Sequence, residues 1–150
     1  MKSKIINDTL RPLKKLYADN RKTKGTISEK TKSAQKIGKK WQERLKSDPK
    51  FSIEVSISND SKEKIDVVDT DNGIAYELKV SGKNVKHEFY KDAFKVLVYN
   101  EKNKDEAVST FVFISEKDGI NRLEKSVLYK EVLNIIKNYY PVLQIDLRGV

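Results

Sequence analysis

The chain has 150 residues, a net charge of +9, one histidine and no cysteine. That length suits a single domain with a real hydrophobic core. The missing cysteines exclude a disulfide scaffold, a thiolate metal site and a cysteine nucleophile, and His87 alone is too little for a histidine-rich zinc site or a Ser-His-Asp centre.

Residues 1–27 read as a basic lead segment, partly mobile, with a short helical patch over residues 10–17 and a charged breaker at Arg21-Lys22-Thr23-Lys24-Gly25. A helix is predicted from Thr26 or Ser28 to about Ser47, where Asp48-Pro49 stops it. Its apolar stripe is Ala34, Ile37, Trp41 and Leu45. Residues 51–58 alternate cleanly as a first strand. Two further strands follow around Asp71-Asn72-Gly73, with Ser81-Gly82-Lys83-Asn84 as the next break. Asn84 is a reasonable N-cap for a helix over residues 85–100, whose apolar stripe is Val85, Phe89, Val96 and Tyr99. Residues 107–114 make a fourth strand with near-continuous burial. A last helix covers residues 126–140, stopped by Pro141, and residues 142–147 form a final strand. The predicted class is α/β, a central mixed sheet flanked by helices. Residues 28–150 form one domain.

The charge is unevenly spread. Residues 1–50 carry 16 Lys and Arg against 5 Asp and Glu, whereas the remainder carries 15 against 17. A basic first third suits a polyanion, and phosphate neutralisation by Lys and Arg makes nucleic acid the favoured partner. The plainer alternative is a lysine-rich surface that serves solubility. Residues 1–8 contain no apolar signal region, and no run approaches the length of a membrane span, so a cytoplasmic chain with no membrane partner is expected.

The chemistry concentrates in the hairpin. Side chains alternate across a strand, so Ile74, Tyr76, Leu78 and Val80 share one face, and Ala75, Glu77 and Lys79 the other. A turn at Asn72-Gly73 sets Asp66 opposite Lys79, whereas a turn at Asp71-Asn72 sets Asp66 opposite Glu77. In both registers Asp66, Glu77 and Lys79 lie within cross-strand reach on one face. Asp69 falls to the turn or rim. A solvent-facing Asp/Glu/Lys cluster on a half-exposed hairpin is the structural alternative.

Asp66, ten intervening residues and then Glu77-Leu78-Lys79 resemble the signature of the PD-(D/E)xK nuclease superfamily. The predicted order of elements over residues 28–115 is similar to its restriction-endonuclease-like αβββαβ core, with a C-terminal helix and strand added. Ile65 stands where the signature has proline. The resemblance implies Asp66, Glu77 and the backbone carbonyl of Leu78 as ligands of Mg²⁺, with Mn²⁺ as a substitute. It implies that Lys79 positions the attacking water or stabilises the developing charge, that the substrate is DNA, and that the active form is a homodimer. Many members also carry a glutamate on the first helix. Glu43 is the candidate, although it lies ~180° from Ala34 at ~100° per residue. Glu29, in a segment similar to the helix start of archaeal Holliday-junction resolvases, and Glu54 on the first strand are the others. Lys39, Lys40, Lys83, Lys86 and Lys91 are candidate phosphate contacts, and His87 and Lys91 are helix-surface neighbours. The expected activity is a metal-dependent endodeoxyribonuclease of restriction or resolvase type. A non-catalytic nucleic-acid-binding module on the same fold is the alternative.

Overall fold

Helix α1 (Lys2–Arg21) and helix α2 (Ile27–Lys46) stack on each other through two apolar stripes. In α1 the buried residues are Ile6, Leu10, Leu13 and Tyr17, spaced four, three and four. In α2 they are Ala34, Ile37, Trp41 and Leu45, as the periodicity predicts. The indole Nε1 of Trp41 donates to the Thr9 carbonyl at 3.0 Å inside this contact. The computed structural model describes residues 1–21, 27–80 and 84–150, with residues 20, 21 and 27–31 described as backbone alone. Most of the predicted breaker at 21–25 and the start of α2 therefore lie outside the described side chains.

The first helix is longer than the patch expected at residues 10–17, and it belongs to the packed core. Pro12 within it removes one backbone donor, the kind of interruption that ends most helices. Burial of the stripe on both sides of Pro12 outweighs that loss. Arg148 Nη1 donates to Asn7 Oδ1 at 2.7 Å, and the Tyr17 hydroxyl donates to Glu116 Oε1 at 2.6 Å. These two bonds tie α1 to distant parts of the chain.

Five strands form one sheet in chain order: β1 (Phe51–Ser56), β2 (Lys64–Asp69), β3 (Ile74–Lys79), β4 (Thr110–Ser115) and β5 (Gln144–Gly149). The first three are antiparallel, and β3, β4 and β5 run parallel. Every residue of β4 is buried, as expected of a central parallel strand covered on both faces. Helix α3 (Val85–Lys102) makes the crossover from β3 to β4, and α4 (Lys117–Glu124) and α5 (Val127–Tyr139) the crossover to β5. The short α4 was not foreseen, because its eight residues offer only Ile120 and Leu123 as an apolar pair.

Two cores result. Val67, Ile74, Tyr76, Val112 and Ile114 pack under α1 and α2, while Ile65, Val68, Ala75, Phe111 and Phe113 pack under α3, α4 and α5. The order α2-β1-β2-β3-α3-β4 is the one expected, within a mixed sheet flanked by helices. Asn84 does not act as a side-chain cap. It lies at φ 59°, and its carbonyl accepts the Glu88 N–H at 3.0 Å.

Alternation fails at one place. Ile53 and Val67 face α1 and α2, whereas Val55 and Ile65, two residues along, face the α3 side. Glu54 and Asp66 lie between these paired positions, and Glu54 has φ 52°. A non-glycine residue in that region stores roughly 1–3 kcal/mol of backbone strain, and such residues cluster at functional sites.

Candidate metal and phosphodiester site

The β2–β3 register pairs Val67 with Tyr76, Val68 with Ala75 and Asp69 with Ile74. Of the two turns weighed from sequence, this is the one centred on Asp71-Asn72, and continuing it sets Asp66 opposite Glu77. Asp69 holds the turn, accepting from the Asn72 N–H at 3.0 Å and from its side-chain amide at 2.8 Å. It is fully buried, so it is a turn residue but not a rim residue. Gly73 follows at φ 64°, a conformation that favours glycine.

Past the Val67–Tyr76 pair the ladder opens. The Leu78 N–H donates to Asp66 Oδ2 at 2.9 Å. A residue's N–H and C=O leave a strand on the same flank, so the Leu78 carbonyl also faces the gap beside Asp66. On the other side of the gap, Gln42 of α2 donates through Nε2 to Glu54 Oε1 at 3.0 Å and to the Asp66 carbonyl at 3.1 Å. A cleft of about 210 Å³ runs here, lined by Gly38, Lys39, Gln42, Glu54, Asp66 and Leu78.

Glu77 and Lys79 point toward α3, as their parity predicts, whereas Asp66, expected on the same face, borders the cleft lined by α2. Glu77 is fully buried, with Lys95 Nζ in an ion pair 2.7 Å from its Oε1, and neither of its oxygens receives a well-aligned hydrogen bond. Lys95 also lies 3.1 Å from Asp92 Oδ1, and Asp92 is itself fully buried. The second Asp92 oxygen is 3.8 Å from Lys79 Nζ, and Glu88 is 3.4 Å from the same nitrogen. Burial pushes the Glu77 carboxyl up to about 9, and the charges of Asp66 and Asp92 add to this while Lys95 opposes it. Asp92 is raised by burial against the pull of Lys79 and Lys95. Burial works against the Lys79 ammonium, yet Asp92, Glu77, Asp66 and Glu88 together hold its pKa above the usual lysine value. Three carboxylates, Glu77, Asp92 and Glu88, thus share the ammonium groups of Lys79 and Lys95, with Glu77, Asp92 and Lys95 buried and Lys79 and Glu88 partly open to solvent.

No protein-family model, curated protein or solved structure matches the chain.

The other candidates separate. Glu43 is exposed, and its neighbour Gln42, an amide, is the α2 side chain that hydrogen-bonds to Glu54 and to the Asp66 carbonyl. Glu29 lies outside the described side chains. Glu54 is exposed but borders the cleft beside Asp66. Lys39 lines that cleft and Lys40 is exposed next to it in sequence. Lys86 opens onto a second cleft with His87 and Arg122. Lys91 is turned away to an ion pair with Glu63 at 3.5 Å, and Lys83 lies outside the described residues.

Asp92, Lys95 and Gln42 were not singled out from sequence. Asp92 could have been, because it continues the stripe Val85, Phe89, Val96 and Tyr99 at helical spacing, where an acid is out of keeping with an apolar face. Val127, Leu128, Tyr139 and Tyr140 are exposed.

Among the described residues, no group of three or more His, Cys, Asp or Glu side chains converges as a metal cage, and no helix is long and apolar enough to cross a membrane. The donor set nevertheless fits Mg²⁺, which keeps several waters and is usually held by one or two carboxylates plus substrate phosphates. Glu77 Oε2, buried without a donor, is the atom such an ion would satisfy.

Proposed function

We propose that this protein is a metal-dependent endodeoxyribonuclease with Asp66, Glu77 and Lys79 at its centre. The observation that carries the reading is the end of the β2–β3 ladder at Val67–Tyr76, past which the Asp66 carboxylate takes the N–H of Leu78, the residue between Glu77 and Lys79. The excess of carboxylates over ammonium groups around that point favours a divalent cation. The restriction-endonuclease-like fold, the choice of DNA over RNA and the homodimer belong to the same reading and rest on the resemblance. The exposed apolar side chains Val127, Leu128, Ile135 and Tyr139 of α5 are compatible with self-association.

Asp66, Glu77 and the Leu78 carbonyl would hold Mg²⁺, or Mn²⁺ in its place. When bound, such an ion activates water and neutralises charge on the phosphate. Lys79 carries a full positive charge beside Glu77, and its ammonium supplies electrostatic stabilisation where charge develops in the transition state. Lys39 and Lys40 on α2 contribute sequence-independent attraction for the phosphate backbone.

The competing reading, a nucleic-acid-binding module without catalysis, draws on one observation: Lys95 already contacts Glu77, so the cluster is partly neutralised without a metal. Incubation of plasmid, single-stranded and four-way DNA with the full chain separates the two. The nuclease cuts at least one of them in Mg²⁺ and none in excess EDTA. Binding without cutting in both conditions leaves the module.

A further inference from the structure

Helix α3 meets β3 with a charge pattern that mirrors it. Glu77 and Lys79 are two apart on one face of the strand, and Asp92 and Lys95 are three apart on the facing side of the helix. The pairing is crossed: the helix lysine takes the strand acid at 2.7 Å, and the helix acid faces the strand lysine at 3.8 Å. A third contact, Asp92 to Lys95 at 3.1 Å, closes the chain of charges. Both helix groups are almost wholly withdrawn from solvent.

Stability alone does not account for this arrangement. Buried ion pairs lose much of their attraction to desolvation, and apolar residues of similar volume often serve a core as well or better. Positions 92 and 95 sit beside Ala93 and Val96 on the packed side of α3, where leucine or methionine would continue the core. The charged groups there have, besides each other, only Glu77 and Lys79 as partners among the described residues.

We propose that Asp92 and Lys95 are positioning residues for the E-x-K segment: Lys95 takes Glu77 Oε1 and leaves Oε2 as the free ligand atom, while Asp92 fixes Lys95 and restrains Lys79. This rests on the nuclease reading for its purpose. Asp92 and Lys95 sit on the α3 side of Glu77 and Lys79, and their ion pairs reach those two residues. Their action passes through Glu77 and Lys79, as groups behind metal ligands generally act by orienting them.

The test uses the full chain with Lys95→Met, Asp92→Asn and the double variant, each first checked for a cooperative thermal transition. Three quantities are read: Mn²⁺ affinity by calorimetry with the metal alone, DNA affinity in EDTA, and the single-turnover cleavage rate in saturating Mg²⁺. Lys95→Met is expected to weaken Mn²⁺ binding and slow cleavage, each by about 10- to 100-fold, with DNA affinity unchanged. The double variant should be no slower than the worse single one, because the two residues act as one unit. Should Lys95→Met fail to fold, Asp92→Asn keeps the shape of the site and is judged by the same quantities. A folded variant with wild-type Mn²⁺ affinity and wild-type rate overturns the positioning role and leaves the nuclease standing. A wild-type chain that binds Mn²⁺ without cutting DNA ends the nuclease reading, and the Mn²⁺ affinities of the variants still decide the positioning role. No Mn²⁺ uptake by the wild type overturns both.

Discussion

Lys95 Nζ lies 2.7 Å from Glu77 Oε1, with Glu77 fully buried and the lysine nearly so. The pair joins α3 to the strand that carries the candidate chemistry. It also explains how an acid survives in the middle of a core strand: the ammonium shares its burial, while Asp66 and Asp92 keep its proton affinity high.

Stability without metal should fall as pH rises. Glu77 has its carboxyl raised from 4.5 to about 9, so between those values the folded chain holds a proton that the unfolded chain has released. Stability falls with pH wherever the native state binds more protons. The contribution is full below about pH 4.5 and is lost as pH climbs through 9. Asp92, raised in the same direction, adds to it. The melting temperature in EDTA should decline from pH 5 to pH 9, and Glu77→Gln should flatten much of that decline. An equally steep decline in the variant would refute the assignment.

Mg²⁺ should counter the same decline. An ion held by Glu77 needs it ionised, so binding releases a proton and affinity rises with pH up to about 9. Calorimetric titrations at pH 6.5 and 8.5 in buffers of different ionisation enthalpy would measure that release directly.

Lys79→Ala should abolish cleavage or cut it by at least about 10²- to 10³-fold, the usual loss for a group that stabilises transition-state charge. DNA affinity in EDTA should be largely unchanged, because the lysine is held by Asp92 and Glu88 within the protein. Undiminished cutting of plasmid DNA by this variant would remove the mechanism.

Helix α1 should be essential to the fold. Leu10 and Leu13 are fully buried against α2, so Leu10→Ala or Leu13→Ala is expected to cost about 2–5 kcal/mol in urea unfolding. Trp41→Phe removes the bond to the Thr9 carbonyl and should cost about 1–3 kcal/mol through the unsatisfied acceptor and lost volume. Changes under 0.5 kcal/mol would mean that α1 is a loose appendage.

Glu54→Gly should raise stability slightly, by up to about 1 kcal/mol, since glycine adopts φ 52° without a Cβ penalty. If the strained residue serves the cleft, cleavage by the same variant should drop. A variant both less stable and fully active would show that the backbone there is not under functional strain.

The recurring apolar residues determined much of the architecture before any packing was known. The α2 stripe, the all-buried β4 and the order of the five strands with α2, α3 and α5 follow from periods of 3.6 and 2 together with breakers such as Pro49 and Pro141. Those signals are local, and local sterics and burial suffice to produce them. The extent of α1 was hidden because its buried residues stand among Lys2, Lys4, Arg11, Lys14 and Lys15, and only a second helix across the stripe makes them core.

The register of β2 against β3 was legible as one of two, and the turn held by Asp69 selected the one centred on Asp71-Asn72. What tertiary structure alone decided was the company that these acids keep. Gln42, not Glu43, is the α2 side chain that hydrogen-bonds at the cleft, because Glu43 is turned a further ~100° round the helix and into solvent. Asp92 and Lys95 looked like ordinary helix charges in a lysine-rich chain, and their meaning lies in the approach of α3 to β3. Periodicity says which residues are buried. It does not say which buried charges meet, since that depends on contacts between elements far apart in the chain.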